Sequence, residues 1–331
     1  MQRRTLLNTA LATTALGLAA PLRAQAWPTR PVRMVVPFPP GGPTDSFARL
    51  YAGALAQQLG QAVVVENKAG ASGTLGTLDV KRSAADGYTL LFGTASTHAL
   101  YNLVQRKPQY DALQDFAFIA VLGGAPVVFA VSPDMPRTLK TVVIAAKLNP
   151  GKYNYGSPGN GTLLHVAAER MKQVTGGAAP TPITHVPYKG SAPALQDLMG
   201  NQINMTVDTL GGLLQQHQAE RVRIVGVASA KRLPQAPDLP TVAESADLPQ
   251  PFEAMLWNVV TVPRDTPAAV QQALVQATQR AMADPALKAK LESQSMFIDL
   301  HLGHAAATAF VKAERAKYKP IVDALGSSLQ E

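Results

Sequence analysis

Short apolar runs of strand length alternate along the chain with longer segments whose apolar residues recur at helical spacing. The first unit opens with residues 32–36, an apolar run that predicts a buried strand. Residues 37–43 are rich in proline and glycine, so neither a strand nor a helix can continue through them. Thr44 then predicts an N-cap, with Asp45 in the first turn of a helix that reaches Leu59.

This strand, loop and helix predict an anion site at the helix N-terminus. The first backbone N–H groups of a helix have no partner within it, and the helix dipole makes that end positive. Such an end readily binds an anion. Two alternatives stay open: Gly41 and Gly42 could form only a tight turn, and Asp45, four residues before Arg49, favours a structural role over ligand contact.

The same alternation over the rest of the chain predicts a two-domain α/β protein with doubly wound sheets. Further strands are predicted at residues 62–66, 88–92, 116–122, 127–131, 152–155, 183–186, 203–207, 222–227, 255–262 and 296–300. Helices are predicted at residues 74–82, 138–148, 163–174, 192–199, 267–294 and 304–325. The break at residues 123–126 predicts a crossing to the second domain, and the strand at 255–262 predicts the return. We therefore expect one domain of residues 27–125 plus 255–331 and another of residues 126–254.

The loops at the strand ends collect small and polar residues. Ligands of doubly wound sheets bind beyond the C-terminal ends of the strands, so the loops at 67–73 and 93–98 should line one edge with the first loop. The second domain repeats the opening design, with a glycine loop at 156–161 and Thr162 as a predicted N-cap. If the domains face one another, both helix N-termini converge on one ligand.

The chemistry of these loops favours a carboxylate ligand. They offer backbone N–H groups, hydroxyls and an amide, with little positive charge besides Lys68 and Lys189. A site for di- or triphosphate usually brings more lysine or arginine. Asp208, at a strand end, is either structural or receives a ligand amine or hydroxyl. For His165 a packed position is favoured over ligand contact. For Tyr188 a packed position and a place in the wall of the site are favoured equally.

Composition and motifs narrow the function further. The 331 residues include no cysteine, which excludes disulfides and thiolate metal sites. No G-x-S-x-G, H-E-x-x-H or Walker motif occurs, and residues 159–164 fail the last position of G-x-G-x-x-G. This argues against an enzyme, and we expect no cofactor. His301 and His304 lack a third ligand nearby, so no metal site is expected. No Lys/Arg run is dense enough to indicate nucleic-acid binding.

Residues 1–26 predict a signal peptide. Arg3 and Arg4 precede a mildly apolar stretch at 6–20, and residues 24–26 form a small-residue cleavage site. The arginine pair favours twin-arginine export, and an ordinary secretory signal fits nearly as well. The apolar stretch is too short and interrupted for a membrane span. The segment contains three arginines and no acidic residue, so its removal lowers the formal net charge from +8 to +5. We expect a mature protein that is soluble and periplasmic.

The sequence resembles the periplasmic receptors of tripartite tricarboxylate transporters, the Bug-type receptors, over nearly the whole mature chain. The resemblance rests on the segments WPTRPVRMVVPFPPGGPTDSFAR, VVVENKAGASGTLG, DGYTLLFGT, YNYGSPGNGTLLHVAAE, HVPYKGSAPALQDLMG and APDLPTVAES, in that order. It implies a two-lobed periplasmic-binding-protein (venus flytrap, type II) fold with the ligand in the cleft. It also implies a small carboxylate ligand, namely a dicarboxylate, an amino acid or an aromatic acid. The implied partners are one large and one small integral membrane subunit, and we expect a monomer.

In that family two loops act as pincers on a carboxylate, which here implies residues 38–45 and 157–162. Loops at 71–73, 94–98 and 188–190, with Asp208, complete the implied cleft. The expected ligand-binding residues are Phe38, Pro40, Gly41, Gly42, Thr44, Asp45, Ala71, Ser72, Gly73, Thr94, Ser96, Thr97, Ser157, Gly159, Asn160, Gly161, Thr162, Tyr188, Lys189, Gly190 and Asp208.

The primary hypothesis is a receptor that binds without catalysis and closes about hinge strands near residues 123–127 and 255–260. An exported enzyme acting on a carboxylic acid is a second hypothesis, and it would need a group with a perturbed pKa, such as Asp208 or His165. A third is an orphan receptor that delivers its ligand to a signalling protein instead of a transporter.

Overall fold

The computed structural model describes residues 27–329, and the predicted signal peptide of residues 1–26 lies outside them. The strands of the described chain are β1 (Val32–Val36), β2 (Val63–Asn67), β3 (Thr89–Thr94), β4 (Phe116–Val131), β5 (Asn154–Ser157), β6 (Thr184–Pro187), β7 (Met205–Thr209), β8 (Arg223–Val227), β9 (Met255–Pro263) and β10 (Phe297–Leu302). The helices are α1 (Pro43–Leu59), α2 (Thr74–Lys81), α3 (Tyr101–Val104), α4 (Leu139–Leu148), α5 (Leu163–Gly176), α6 (Ser191–Met199), α7 (Leu210–Gln218), α8 (Val242–Ala246), α9 (Ala268–Ala283), α10 (Pro285–Ser293) and α11 (Gly303–Leu325). Shorter helical turns lie at Ala71–Gly73, Ser96–Leu100 and Gly326–Leu329.

Two sheets share the long strand β4. The first has the order β2-β1-β3-β9-β4, with β1 parallel to β2 and β3 and with β9 antiparallel to both its neighbours. The second has the order β4-β7-β5-β6, with β5 parallel to β6 and β7. β10 and β8 also pair with β4. Parallel strands end at the same edge of a sheet, so the loops after β1 and β3 meet at one edge and those after β5 and β6 at another. The predicted α/β fold is confirmed.

The predicted interruption at residues 123–126 is wrong, because β4 is continuous there. Its first part pairs with β9, and residues 127–131 pair with β7. The Val127 N–H donates to the Ala254 carbonyl at 2.9 Å, so the nitrogen of Pro126 faces the other side of the strand. On that side the pairing with β10 ends at Gly124 before the pairing with β7 begins. Proline is therefore tolerated within this strand.

Gly123 and Gly124 occur where β4 comes close to its neighbouring strands, and the chain makes no turn there. Gly123 has a φ of +100°, and a Cβ added at Gly124 would collide with the backbone carbonyl of Leu256. Only glycine fits where the strands come this close. The Gly-Gly pair that looks like a loop in the sequence thus lies within the strand that joins the two sheets.

Two helix predictions also need correction. Gly42, not Thr44, is the N-cap of α1, because Pro43 takes the first helical position, where its missing N–H has no intrahelical role. The helix predicted at 267–294 is divided into α9 and α10 at Asp284, which ends the first helix and caps the second.

Helices cover the sheets and bury their apolar faces. Phe47 of α1 and Leu274 of α9 pack with Phe92 and Val260 in the core of the first sheet. The long helix α11 packs against β4. Across residues 27–329, every helix is too short or too polar to cross a membrane.

Candidate functional site

A buried carboxylate fixes the loop between β1 and α1. Asp45 is 3% exposed and accepts hydrogen bonds from the Gly41 N–H at 2.9 Å, from Asn67 Nδ2 at 2.8 Å and from Arg49 Nε at 2.9 Å. Burial acts to raise the pKa of Asp45, but these hydrogen bonds outweigh it and lower the pKa. Asn67 Nδ2 also donates to the Phe38 carbonyl at 3.0 Å. Asp45 therefore holds the loop that leads into the N-terminus of α1.

Glycines and a threonine cap shape the loop between β5 and α5. Gly159 (φ +145°) and Gly161 (φ +67°) adopt backbone conformations that favour glycine. Thr162 Oγ1 accepts the His165 N–H at 3.4 Å, which confirms the predicted N-cap. The Thr162 hydroxyl donates to the Gly159 carbonyl at 2.7 Å. The loop is thus tied to the first turn of α5.

The two lobes, each built on one of the two sheets, meet through the loop between β5 and α5. The Leu163 N–H, in the first turn of α5, donates to Ser96 Oγ at 3.0 Å, and Ser96 follows β3 in the other lobe. Gly190 approaches Pro39 so closely that an added Cβ would lie 2.8 Å from Pro39 Cγ. The cleft between the lobes is therefore closed over by contacts between their loops.

A third helix N-terminus reaches the same place. α6 begins at Ser191, directly after Gly190, whose φ of +111° marks the turn from β6 into the helix. The Tyr188 hydroxyl donates to Asp197 Oδ2 at 2.6 Å, and the Tyr188 N–H donates to the Ser157 carbonyl at 2.9 Å. These bonds fix the β6–α6 turn against the neighbouring β5–α5 loop.

The N-termini of α1, α5 and α6 border one cavity of about 40 Å³, which we name the interlobe cavity. Its lining residues are Phe38, Pro39, Pro40, Gly42, Pro43, Thr44, Thr94, Ser96, Pro158, Thr162, Leu164, Gly190, Ser191, Ala192 and Leu256. None of these side chains is charged. An anion in this cavity would meet backbone N–H groups and hydroxyls in the field of three helix dipoles.

The residues predicted for the site are divided among several places. Those that line the interlobe cavity are Phe38, Pro40, Gly42, Thr44, Thr94, Ser96, Thr162 and Gly190. Those that line an adjoining groove between the lobes are Ala71, Ser72, Gly73, Gly159, Asn160, Tyr188 and Lys189, with Phe38 and Gly190 shared. Gly41 and Asp208 line a neighbouring cavity, and Gly161 lies with Asn160 in another. Asp45, Thr97 and Ser157 make hydrogen bonds within the surrounding loops.

Asp208 lies beside the interlobe cavity and outside its lining. Its own cavity shares Pro43, Ser191 and Ala192 with the interlobe cavity. Asp208 is 3% exposed, and its Oδ1 accepts the Thr209 N–H at 2.7 Å. Burial raises the pKa of Asp208 to about 6. This carboxyl therefore changes charge close to neutral pH.

A stacked histidine pair supports the β5–α5 loop. The rings of His165 and His185 lie 4.0 Å apart, and desolvation lowers their pKa values to about 4 and about 3. Ser157 Oγ lies 2.7 Å from His185 Nε2, and Ser157 is buried. His165 Nδ1 accepts the Gly161 N–H at 3.0 Å. Across residues 27–329, no group of three or more acidic or histidine side chains is placed to hold a metal ion.

Part of the cavity lining escaped the sequence-based prediction. Gly190, just before a predicted helix, was a usable signal for the N-terminus at Ser191. Leu164 and Leu256 look like ordinary core residues in their local pattern. The lining residues outside the predicted loops are Leu164, Ser191, Ala192 and Leu256, whereas Pro39, Pro43 and Pro158 lie within the predicted pincer loops without having been named as ligand-binding residues.

Two lobes that share strands and enclose a cavity bordered by helix N-termini define the class of the molecule, the two-lobed periplasmic binding proteins. The chain belongs to the tripartite tricarboxylate transporter family receptors, whose family profile matches residues 47–327. The resemblance noted from the sequence is thereby confirmed.

Individual relatives agree with this assignment. Protein BugT of Bordetella pertussis is 36% identical over 252 residues, which are 76% of each chain. The structure of MatC from Rhodopseudomonas palustris with bound malate is 28% identical, has a TM-score of 0.83, and aligns over 89% of this chain and 100% of its own. Another R. palustris protein, solved with adipate, is 33% identical with a TM-score of 0.83, over 91% and 98% of the two chains.

Proposed function

We propose that the protein is an extracytoplasmic receptor that captures a small carboxylate in the interlobe cavity for a tripartite tricarboxylate transporter. The observation that carries this proposal is the convergence of three helix N-termini on a cavity without charged lining residues. Helix N-termini supply N–H donors and positive potential to an anion. Thr44, Ser96 and Ser191 add hydroxyls. The malate and adipate bound by the two R. palustris relatives support the same ligand class.

In this proposal the ligand stabilises closure of two lobes. Residues 27–125 with 255–331 form one lobe and residues 126–254 the other, and β4 and β9 act as the hinge strands. The ligand favours the closed state only through contacts that the open state lacks. Contacts between α5 and the first lobe, such as that of Leu163 with Ser96, break on opening. Small-angle scattering should therefore report compaction when ligand is added.

The receptor binds its ligand without transforming it. The interlobe cavity is lined by no histidine, carboxylate or lysine that could act as an acid or base. Asp208, whose raised pKa would suit a base, lies in the neighbouring cavity. Unchanged acid recovered after long incubation with the protein is the expected result, and turnover would favour the enzyme hypothesis.

Export and partners complete the proposal. Residues 1–26 direct export to the periplasm, and the mature protein, a soluble monomer, delivers its ligand to one large and one small integral membrane subunit. Family membership supports these assignments. An orphan receptor serving a signalling protein would use the same cavity. Ligand uptake that requires both this protein and the membrane subunits separates the two roles.

The decisive experiment is calorimetric titration of residues 27–331 with aliphatic, amino and aromatic acids, each paired with its neutral amide. The acid should bind and the amide should not, because the helix N-termini favour a negative charge. At about 100 times its dissociation constant, a bound acid should add about 2.7 kcal/mol to the free energy of unfolding. Equal binding of acids and amides would refute the proposal.

A charge variant with a matched control locates the site. Ala192→Glu places a carboxylate at the first turn of α6, beside the cavity, and should abolish binding of acids. Gln196→Glu makes the same charge change one turn further along the helix and should leave binding intact. Equal effects of the two variants would place the ligand elsewhere.

A further inference from the structure

We propose that the cavity lined by Asp208 receives the ammonium group of an amino acid whose carboxylate lies in the interlobe cavity. The inference rests on the proposed function and deepens it, because it names amino acids as the ligand class. We call this second space the Asp208 cavity. It has a volume of about 310 Å³ and is lined from both lobes, with Pro43 and Gln294 on one side and Ser191 and Gln215 on the other.

Asp208 differs from the other buried acidic side chains of residues 27–329, which are Asp45 and Glu169. Each of those two has a cation beside it. Arg49 Nε lies 2.9 Å from Asp45 Oδ2, and Lys172 Nζ lies 2.8 Å from Glu169 Oε1. Asp208 forms no ion pair with any described residue, and its hydrogen bonds leave burial as the dominant influence on its pKa. Buried charges are normally paired, so this carboxylate is the one that lacks its positive partner.

A structural role accounts for only one oxygen of this carboxylate. Asp208 precedes Thr209, the N-cap of α7, and its Oδ1 accepts the Thr209 N–H at 2.7 Å. A carboxylate at a helix N-terminus is favoured by the helix dipole. The other oxygen, Oδ2, faces Gly212, where an added Cβ would lie 3.4 Å from Oδ2 and 3.6 Å from Pro43 Cγ. Glycine at this position therefore leaves open the space between the carboxylate and Pro43.

The Asp208 cavity and the interlobe cavity adjoin at the N-terminus of α6. Pro43, Ser191 and Ala192 line both of them. Ser191 is the first residue of α6, and its side chain forms a hydrogen bond with the Asp208 carboxyl group. A ligand carboxylate held at this helix N-terminus therefore lies close to Asp208. An ammonium group attached a few bonds from that carboxylate can reach into the Asp208 cavity.

The charges around the two cavities select the group that enters. Among the described residues that line either cavity, the only charged side chain is Asp208. A second ligand carboxylate in the Asp208 cavity would meet a like charge with no cation to offset it, whereas an ammonium group would meet an opposite charge. The helix N-termini and Asp208 together thus match the two opposite charges of an amino acid.

Matched acids test the inference directly. Wild type and Asp208→Asn are titrated by calorimetry at pH 8, where Asp208 is ionised because its pKa is about 6. The pairs are aspartate with succinate, glutamate with glutarate, and phenylalanine with 3-phenylpropionate, so that the members of a pair differ only in the ammonium group. Wild type should bind at least one amino acid at least tenfold more tightly than its matched plain acid, because the plain acid leaves a buried charge unpaired. Asp208→Asn should reduce that ratio to less than twofold.

Two further variants and one further ligand sharpen the test. Gly212→Ala adds a methyl group to the space in front of Asp208, and alanine is well tolerated in a helix, so this variant should fold and should weaken amino acids more than plain acids. Asp134→Asn is the matched control, since it removes the same charge from an exposed position of the same lobe that lines neither cavity, and it should leave the ratio unchanged. Malate carries a hydroxyl where aspartate carries its ammonium group, and it should gain less than threefold over succinate.

The outcomes separate the two proposals. An unchanged ratio in Asp208→Asn, an equal gain from malate and aspartate, or wild type that binds only plain acids overturns the role of Asp208 and leaves the carboxylate receptor standing. A wild-type protein that binds no acid at all overturns the receptor proposal and this inference with it.

Discussion

Replacing Asp208 with asparagine is expected to stabilise the ligand-free protein at pH 8 and to leave it unchanged at pH 3.5. Burial raises the pKa of Asp208 from the ordinary 3.8 to about 6. In the unfolded chain the carboxyl has its ordinary pKa, so the folded protein retains a proton that the unfolded chain releases. Such a group stabilises the fold below the unfolded pKa, and that stability is lost as the pH rises through the folded pKa.

The magnitude follows from the size of the pKa shift. A shift of roughly two units corresponds to about 3 kcal/mol, at about 1.36 kcal/mol per unit. The ionised carboxylate should therefore lower the free energy of unfolding by about 3 kcal/mol at pH 8 relative to pH 3.5. Asparagine has the same shape and keeps an oxygen for the Thr209 N–H. It does not ionise, so it avoids this loss.

Urea unfolding of both proteins at several pH values between 3.5 and 8 measures the effect. The difference between them should grow from near zero at pH 3.5 to about 3 kcal/mol by pH 7 and then stay constant. Other titrating groups contribute equally to both proteins and cancel in the difference. An equal loss of stability in Asp208→Asn at every pH would refute the burial argument and indicate a required ionic contact.

Three further outcomes are expected. Asp45→Ala should weaken acid binding at least tenfold by releasing the β1–α1 loop, whereas Asp86→Ala should change it less than twofold in calorimetry. Gly161→Val forces a β-branched residue to a φ of +67°, so it should lower both the melting temperature and the acid affinity; normal affinity would make this loop a structural turn only. The contribution of His165 to stability should fall as the pH drops from 6.5 toward 4, opposite to the trend of Asp208, because desolvation in the folded protein lowers the pKa of His165 to about 4. His165→Phe should flatten that fall in thermal melts, and an unaltered pH profile would contradict it.

The elements around the site were predictable where their signals are local. Proline and glycine between residues 37 and 43 exclude regular structure whatever the rest of the chain does, so the loop before α1 could be placed. The start of α5 could also be placed from local signals, because Thr162 follows a glycine loop and is an N-cap residue. The N-cap of α1 was misplaced because Thr44 and Gly42 are both acceptable caps, and Pro43 between them decides the boundary.

The contribution of Leu256 to the cavity lining was not predictable because it depends on strand register. Residues 255–262 form a largely apolar run in which Leu256 has no distinguishing neighbours. Its position follows from the pairing of β9 with β4, where Leu256 lies opposite Ala125, more than 130 residues earlier in the chain. Similarly, the glycines near Pro126 indicated a break, and only the approach of β9 and β10 explains why the strand continues through them.

The hydrogen bond from the Leu163 N–H to Ser96 Oγ gives the receptor an internal substitute for its cargo. A net hydrogen bond of about 1 kcal/mol multiplies the closed-to-open ratio of the empty protein by about five relative to a protein without it. Because this contact already favours closure, part of the closed population carries no ligand. A transporter that binds closed receptors would therefore also meet empty ones, and removing the hydroxyl of Ser96 should reduce their number.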